Sequence, residues 1–165
     1  MIQIIDNFLP EEEFKSIQSF MMGGEFRWFY WKGRTTPDDG LFMMGHIFYH
    51  PEVGCCSEDL DIWNTLMTKV GAKKCTRIKA NLTFKTPTIE TGPFHTDYED
   101  MKTATFYINT NNGYTEFENG VRVSSVANRV CIFAYLLEYS SHNAKPCLIN
   151  HRAFATVSFA QIVQG

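Results

Sequence analysis

The sequence lacks the features of three broad classes of protein. Its net charge is −3, which argues against a large nucleic-acid-binding surface, because such surfaces are usually basic. Its longest apolar run, residues 130–137, is far shorter than the roughly 20 residues that cross a membrane. The first residues, MIQIIDNFLPEEEF, are acidic where a signal peptide is basic, so no targeting segment is expected. We therefore predict a soluble, cytoplasmic protein without membrane association.

The five cysteines also lack a pattern that would define a disulfide framework. No C-x-x-C spacing occurs and Cys55 is adjacent to Cys56, which favours a reducing compartment. His46, His50 and this cysteine pair are ligand types that structural zinc takes. Adjacent sulfurs tend to point apart, so we favour an interpretation in which the two histidines alternate on a strand and the cysteines lie in a loop.

Apolar spacing predicts two helices followed by strands. The first helix begins after Pro10 and ends at Gly23-Gly24, and the second is capped by Ser57 and closed by Gly71. From residue 73 onwards, segments such as RIKANLTF and TATFYIN alternate between apolar and polar residues, as half-buried strands do. This order predicts a single α+β domain, mainly β, built as a double-sheet jelly roll or small barrel.

Turn signals and apolar runs locate further strands. Asn112-Gly113 and Asn119-Gly120 predict hairpin turns, residues 130–137 predict a buried strand, and residues 148–159 predict the last strand.

An aromatic segment, FRWFYW at residues 26–31, precedes the predicted barrel. It is interpreted either as a substrate-binding lip or as core. The basic residues in and beside this segment, Arg27, Lys32 and Arg34, are compatible with an acidic or nucleic-acid substrate.

The segment Pro93-Phe94-His95-Thr96-Asp97 carries the most specific chemical signal. His95 and Asp97 are two residues apart, so on an extended chain both side chains project to one side. An imidazole and a carboxylate can take two adjacent positions on one metal ion. A third ligand from a distant strand, either His142 or His151, would complete the two-histidine, one-carboxylate set of non-haem Fe(II) oxygenases.

The order of these residues resembles the iron(II)- and 2-oxoglutarate-dependent dioxygenase superfamily. In that pattern an H-x-D motif is followed by a distant histidine and then by a basic residue about ten positions later. Arg152 lies ten residues after His142, whereas Gln161 lies ten after His151, so the pattern selects His142. The segments RIKANL, FHTDYED, TATFYINTNNGYTEFENG, NRVCIFAY, SSHNAKP and INHRAFATVSF follow in the expected order. They are most similar to the prolyl-4-hydroxylase-like branch and to small dioxygenases of marine phages and bacteria.

The resemblance implies a double-stranded β-helix over residues 73–165, with helices and a substrate-side segment over residues 1–72. His95, Asp97 and His142 match the catalytic iron ligands. The implied reaction uses Fe(II) and O₂ to couple the decarboxylation of 2-oxoglutarate to succinate with hydroxylation of a C–H bond. The resemblance also suggests ascorbate as a further ligand. It suggests the cytoplasm of a bacterial or phage-infected host cell as the location.

The resemblance further assigns residues to the co-substrate. Arg152 matches the residue that pairs with the distal carboxylate of 2-oxoglutarate, a role that suits the planar guanidinium. Tyr107 matches a tyrosine that donates a hydrogen bond to the same carboxylate. Asn81 and Thr156 are further co-substrate candidates.

The substrate class stays open at this stage. A peptidyl side chain such as proline and a small molecule are the favoured substrates; a nucleobase is the less favoured one. A cupin-type metalloenzyme with the same iron ligands but no 2-oxoglutarate is an alternative, as is a non-catalytic jelly-roll binding module. The sequence is compatible with a monomer or a homodimer.

Overall fold

The computed structural model describes residues 1–72, 74–97, 101–134, 139–142 and 154–162. Within the strands β10 and β11, only the side chains of residues 156 and 157 are described. The helices are α1 (Glu11–Met21), a 3₁₀ helix (Glu58–Trp63) and α2 (Asn64–Lys69). The strands are β1 (Ile2–Ile5), β2 (Phe29–Lys32), β3 (Phe42–His50), β4 (Gly54–Cys55), β5 (Lys74–Thr83), β6 (Lys102–Tyr107), β7 (Tyr114–Phe117), β8 (Arg122–Ser124), β9 (Arg129–Ala134), β10 (Tyr139–His142) and β11 (Phe154–Ile162).

The strands form two antiparallel sheets. The main sheet has the order β1-β9-β6-β11-β5-β3-β2, with β4 paired to β3, and the second sheet has the order β10-β7-β8. This arrangement confirms the predicted mainly β, two-sheet architecture. In the described part of the chain, no helix combines the length and the apolar character that a membrane crossing requires.

The two faces of the main sheet have different partners. On one face, Ile78 of β5 and Phe106 of β6 pack with helix α1, whose Phe14 ring meets the Phe106 ring edge-on at 6.0 Å. On the other face, Tyr107 belongs to a separate apolar cluster with Phe117 of the second sheet. The period-2 alternation seen in the sequence thus separates a helix-covered core from an interior between the two sheets.

Residues before position 73 contribute strands to the main sheet as well as helices. Strand β1 pairs with β9, and β3 and β2 extend the sheet beyond β5. The predicted helix cap is confirmed, since Ser57 Oγ accepts a hydrogen bond from the Asp59 amide at 3.3 Å. Residues 135–138 and 148–153, predicted as parts of strands, lie outside the described residues.

One of the two predicted hairpins is wrong. Asn119-Gly120 does connect the paired strands β7 and β8, with Gly120 at a φ of +82°. Asn112-Gly113 instead carries the chain from β6 in the main sheet to β7 in the second sheet. Because β6 is already flanked by β9 and β11, it has no free edge for β7, and the turn is shaped by Asn111 Oδ1 accepting from the Gly113 amide at 2.7 Å.

Asn128, which directly precedes β9, bonds to Leu9 just before α1, and its loss should destabilise the fold. Its side chain is buried, accepts from the Leu9 amide and donates to the Leu9 carbonyl, both at 2.9 Å. Asn128→Ala leaves both backbone groups without these bonds and should lower the free energy of unfolding by about 2–3 kcal/mol in urea titrations. Asn119→Ala, which removes an exposed turn bond to the Val121 amide, is the control. Equal losses in the two variants would contradict this account.

Candidate active site

A cavity of about 420 Å³ opens beside the interior face of the main sheet. One wall is the loop between β2 and β3, the second is β5, and the third is the segment that carries the H-x-D motif. The lining consists of residues 31–37, Arg77, Lys79 and residues 95–97. The structure therefore places both predicted metal ligands of this motif in one cavity, next to polar residues of β5.

The geometry of His95 fits metal binding. Its Nδ1 lies 3.1 Å from the carbonyl oxygen of Pro93. A neutral imidazole that donates from Nδ1 to a carbonyl carries its lone pair on Nε2, the usual arrangement of a metal-binding histidine. With the Asp97 carboxylate in the same cavity, the donor set is one imidazole and one carboxylate, which suits Fe(II).

Asp97 is paired with a residue that the sequence reasoning did not single out. Arg77 Nη2 lies 2.5 Å from Asp97 Oδ2, and their side chains are only 17% and 14% exposed. Arg77 stands on the polar face of β5, where alternation did place it, but no signal in the sequence linked it to a residue twenty positions away. The guanidinium orients the carboxylate and offsets its charge.

Arg77→Gln should weaken divalent metal binding by about tenfold to a hundredfold, because a carboxylate ligand loses the group that orients it. Binding of Mn²⁺ measured by calorimetry checks this expectation. Arg122→Gln is the matched control, since Arg122 is an exposed arginine that pairs with Glu116 at 2.7 Å in the second sheet. An unchanged or tighter affinity in Arg77→Gln would contradict the positioning role.

Lys79 lines the cavity on the same strand as Arg77. Its Nζ lies 4.1 Å from the centre of the Trp31 ring, within range of a cation–π interaction. The pKa of Lys79 is lowered to about 8, first by burial and second by the positive charge of Arg77, while the charge of Asp97 opposes both. Lys79 is therefore a cation at neutral pH whose charge is poorly solvated.

Three predicted co-substrate residues lie in one row across the main sheet. Thr156 of β11 is in register with Asn81 of β5 on one side and with Tyr107 of β6 on the other. Thr156 and Tyr107 are buried, and within the described residues the buried Oδ1 of Asn81 has no hydrogen-bond partner. The structure thus brings these residues together, although their contact with 2-oxoglutarate stays a prediction.

The Tyr107 hydroxyl already donates a hydrogen bond within the protein. It donates to Thr115 Oγ1 of β7 at 2.8 Å and so links the two sheets. Burial raises the pKa of Tyr107 well above its ordinary value, the charge of Cys131 acts in the same direction, and the bond to Thr115 opposes both. The phenol therefore stays neutral at every physiological pH.

The remaining predicted site residues are only partly described. The backbone of His142 lies at the end of β10, in register with Tyr114 of β7, and its side chain is outside the described set. Arg152 lies outside the described residues altogether. Among the side chains that the structure does describe, no three His, Cys, Asp or Glu residues converge. The third ligand and the co-substrate arginine stay predictions.

The rival zinc cluster does not form. The buried His46 has Nδ1 at 2.7 Å from the Arg27 carbonyl and packs against the rings of Phe26 and Phe48. Cys55 and Cys56 are exposed. His46, His50 and these two cysteines are all described, and they form no group that could hold a metal. His46 and His50 both lie on β3, as the favoured interpretation predicted; its placement of the cysteine pair in a loop is wrong for Cys55, which lies on β4 and pairs with Tyr49 of β3.

The aromatic segment at residues 26–31 divides between the two predicted roles. Phe26 is buried in the core and Trp28 packs against it. Phe29 and Tyr30, by contrast, are 55% and 66% exposed. Trp31 lines the cavity, where Gly45 leaves room for its indole: a Cβ at Gly45 would lie 3.1 Å from Trp31 Nε1. The segment therefore belongs to the core at one end and to the cavity at the other.

The fold is that of solved 2-oxoglutarate–Fe(II) oxygenase structures, which confirms the predicted resemblance at the level of fold and the predicted double-stranded β-helix. The 2OG-Fe(II) oxygenase family oxidoreductase from Burkholderia pseudomallei aligns with a TM-score of 0.69 at 9% identity, covering 99% of this chain and 86% of that one.

Two prolyl hydroxylases are also similar in structure. The Trichoplax adhaerens enzyme, in complex with a hypoxia inducible factor oxygen degradation domain peptide fragment, aligns with a TM-score of 0.68 at 14% identity, covering 98% of this chain and 83% of that one. The viral collagen prolyl hydroxylase of Paramecium Bursaria Chlorella virus-1, in complex with 2OG, gives a TM-score of 0.64 at 11% identity and covers 96% of this chain and 94% of that one. No protein-family model and no curated protein matches the sequence.

Proposed function

We propose that this protein is an Fe(II)- and 2-oxoglutarate-dependent dioxygenase that hydroxylates a C–H bond. The observation that carries the proposal is the presence of His95 and Asp97 side by side on the wall of one cavity, in a chain with the fold of 2-oxoglutarate oxygenases. His95 Nε2, the Asp97 carboxylate and His142 would hold the iron. Bound Fe(II) would supply the redox chemistry that couples O₂ and 2-oxoglutarate to oxidation of the substrate.

The residues of this chain have separate tasks in the proposed reaction. The carbonyl of Pro93 fixes the orientation of the His95 ring, and Arg77 fixes the Asp97 carboxylate. Arg152 would bind the distal carboxylate of 2-oxoglutarate. Asn81 and Thr156, in register on β5 and β11, supply neutral polar groups on the interior face, where they would hold the co-substrate without adding charge; Tyr107 would join them only if its hydroxyl turned away from Thr115.

For the substrate, we propose a peptidyl side chain, with proline as the first candidate. The support is the structural likeness to prolyl hydroxylases, one of which is seen with a peptide. The exposed rings of Phe29 and Tyr30 lie on β2 beside the cavity-lining Trp31, so an extended peptide that reaches the cavity could also contact aromatic surface.

The test is an aerobic incubation with Fe(II), 2-oxoglutarate and a pool of proline-containing peptides, with alanine-substituted peptides as control. We expect succinate to form, and the proline peptides alone to gain the mass of one oxygen atom. Succinate formation without peptide oxidation would support the reaction class and contradict proline as substrate. Tight iron binding with no consumption of 2-oxoglutarate would contradict the dioxygenase proposal and favour the cupin-type alternative.

A further inference from the structure

The loop between β2 and β3 presents a buried arginine to the cavity. The Arg34 side chain is only 7% exposed, and its Nη2 lies 3.0 Å from Glu90 Oε2. Its Nη1 is also buried and, within the described residues, has no hydrogen-bond partner. A buried guanidinium N–H without an acceptor is costly. Because Arg34 lines the cavity, an acceptor group of a ligand is the natural partner.

The loop around Arg34 is built to hold one conformation. Asp39 Oδ2 accepts hydrogen bonds from the three backbone amides of residues 34–36 at 2.8–3.3 Å. Its other oxygen accepts from the Leu41 amide at 3.0 Å. Gly33 has a φ of +84°, and a Cβ there would lie 1.9 Å from the Thr36 carbonyl oxygen. The arginine is therefore placed by a rigid loop.

Strand β5 adds a second cation to the cavity lining. Lys79 lines the same cavity, and in the described part of the chain no carboxylate lies within ion-pair distance of its Nζ. The positive charge of Arg77 is already paired with Asp97. Among the described residues, the cavity lining thus contains a guanidinium with one unpartnered N–H and an ammonium with no carboxylate in ion-pair distance, in a protein whose net charge is negative.

We propose that this cavity selects substrates that carry a carboxylate close to the oxidised carbon, with Arg34 and Lys79 as the specificity residues. The inference rests on the proposed function, because the oxidised C–H bond must lie next to His95 and Asp97 in the same cavity. An acidic side chain beside the target residue of a peptide has the required chemistry. A guanidinium N–H and an ammonium both form strong, charge-assisted hydrogen bonds with a carboxylate.

The first experiment measures peptide binding to the metal-free protein by calorimetry, so it does not depend on catalysis. The probes are acetyl-Asp-Pro-Gly-amide and its neutral counterpart acetyl-Asn-Pro-Gly-amide. We expect the acidic peptide to bind about tenfold more tightly to the wild type. Arg34→Gln and Lys79→Gln should each remove most of that preference, whereas Lys15→Gln, on the exposed face of α1, should retain it. Equal affinities, or no binding of either peptide up to about 10 mM, would overturn the proposal.

The second experiment separates the substrate from 2-oxoglutarate, which also carries carboxylates. Binding of 2-oxoglutarate is measured in the presence of Mn²⁺. Arg34→Gln should leave this affinity within about twofold of the wild type. A tenfold loss would show that Arg34 serves the co-substrate, and it would overturn the substrate assignment. If the proposed oxygenase activity fails while the acidic peptide still binds selectively, the proposed function is wrong and the carboxylate site stands.

Discussion

Asp97→Ala and His95→Ala are each expected to reduce the rate of succinate formation by about a thousandfold or more. Both side chains line the cavity, and the contact of His95 Nδ1 with the Pro93 carbonyl would leave Nε2 as the nitrogen that binds a metal. Removal of either group leaves too few ligands to hold Fe(II) in an active geometry. The rate is measured with labelled 2-oxoglutarate under saturating iron.

Two further variants make this result interpretable. Asp97→Ala removes the carboxylate that pairs with the largely buried Arg77, and breaking a buried ion pair by removing one partner destabilises a protein. Asp97→Asn has nearly the same shape and should fold while still losing activity. His50→Ala removes a histidine of β3 whose Nδ1 accepts from the Glu52 amide, and it should keep wild-type activity. Activity retained in Asp97→Asn would contradict the metal assignment.

Arg152→Ala should weaken 2-oxoglutarate binding by about a hundredfold, since a bidentate guanidinium–carboxylate pair is among the stronger polar interactions in proteins. The expected change is a higher KM for 2-oxoglutarate with iron affinity unchanged. Arg152→Lys, which keeps the charge but loses the planar fork, should recover part of the affinity.

The control for this prediction is Arg122→Ala, because Arg122 is an exposed arginine of the second sheet that pairs with Glu116. Its KM for 2-oxoglutarate should equal that of the wild type. If Arg152→Ala also has no effect, the pairing of Arg152 with the co-substrate is wrong. An iron-binding protein that is indifferent to Arg152 would fit the cupin-type alternative.

The alternation of β5 and β6 could be predicted from the sequence, because burial on one face imposes a period of two. Ile78 and Phe106 lie in the helix-covered core as their phase predicts, and Tyr107 lies on the opposite face. The H-x-D motif could also be recognised from the sequence, because His95 and Asp97 lie only two residues apart. Local spacing therefore predicted the strands and the position of the motif.

The contacts that complete the site could not be predicted in the same way. The Arg77–Asp97 ion pair joins β5 to the segment that carries the H-x-D motif. The position of Arg34 depends on the hydrogen bonds that the Asp39 carboxylate accepts from the backbone amides of the same loop. These contacts are set by three-dimensional packing and leave no periodic signal. The same reason explains the Asn112-Gly113 turn, whose sequence is typical of a hairpin but whose preceding strand has no free edge.

The decisive experiment is anaerobic addition of Fe(II) and 2-oxoglutarate to the purified protein, followed by visible absorption spectroscopy. We expect a weak metal-to-ligand charge-transfer band that is absent in His95→Ala and Arg152→Ala. Iron bound with no such band would contradict the use of 2-oxoglutarate. A protein that binds no iron under these conditions would contradict the metal site and support a non-catalytic jelly-roll module.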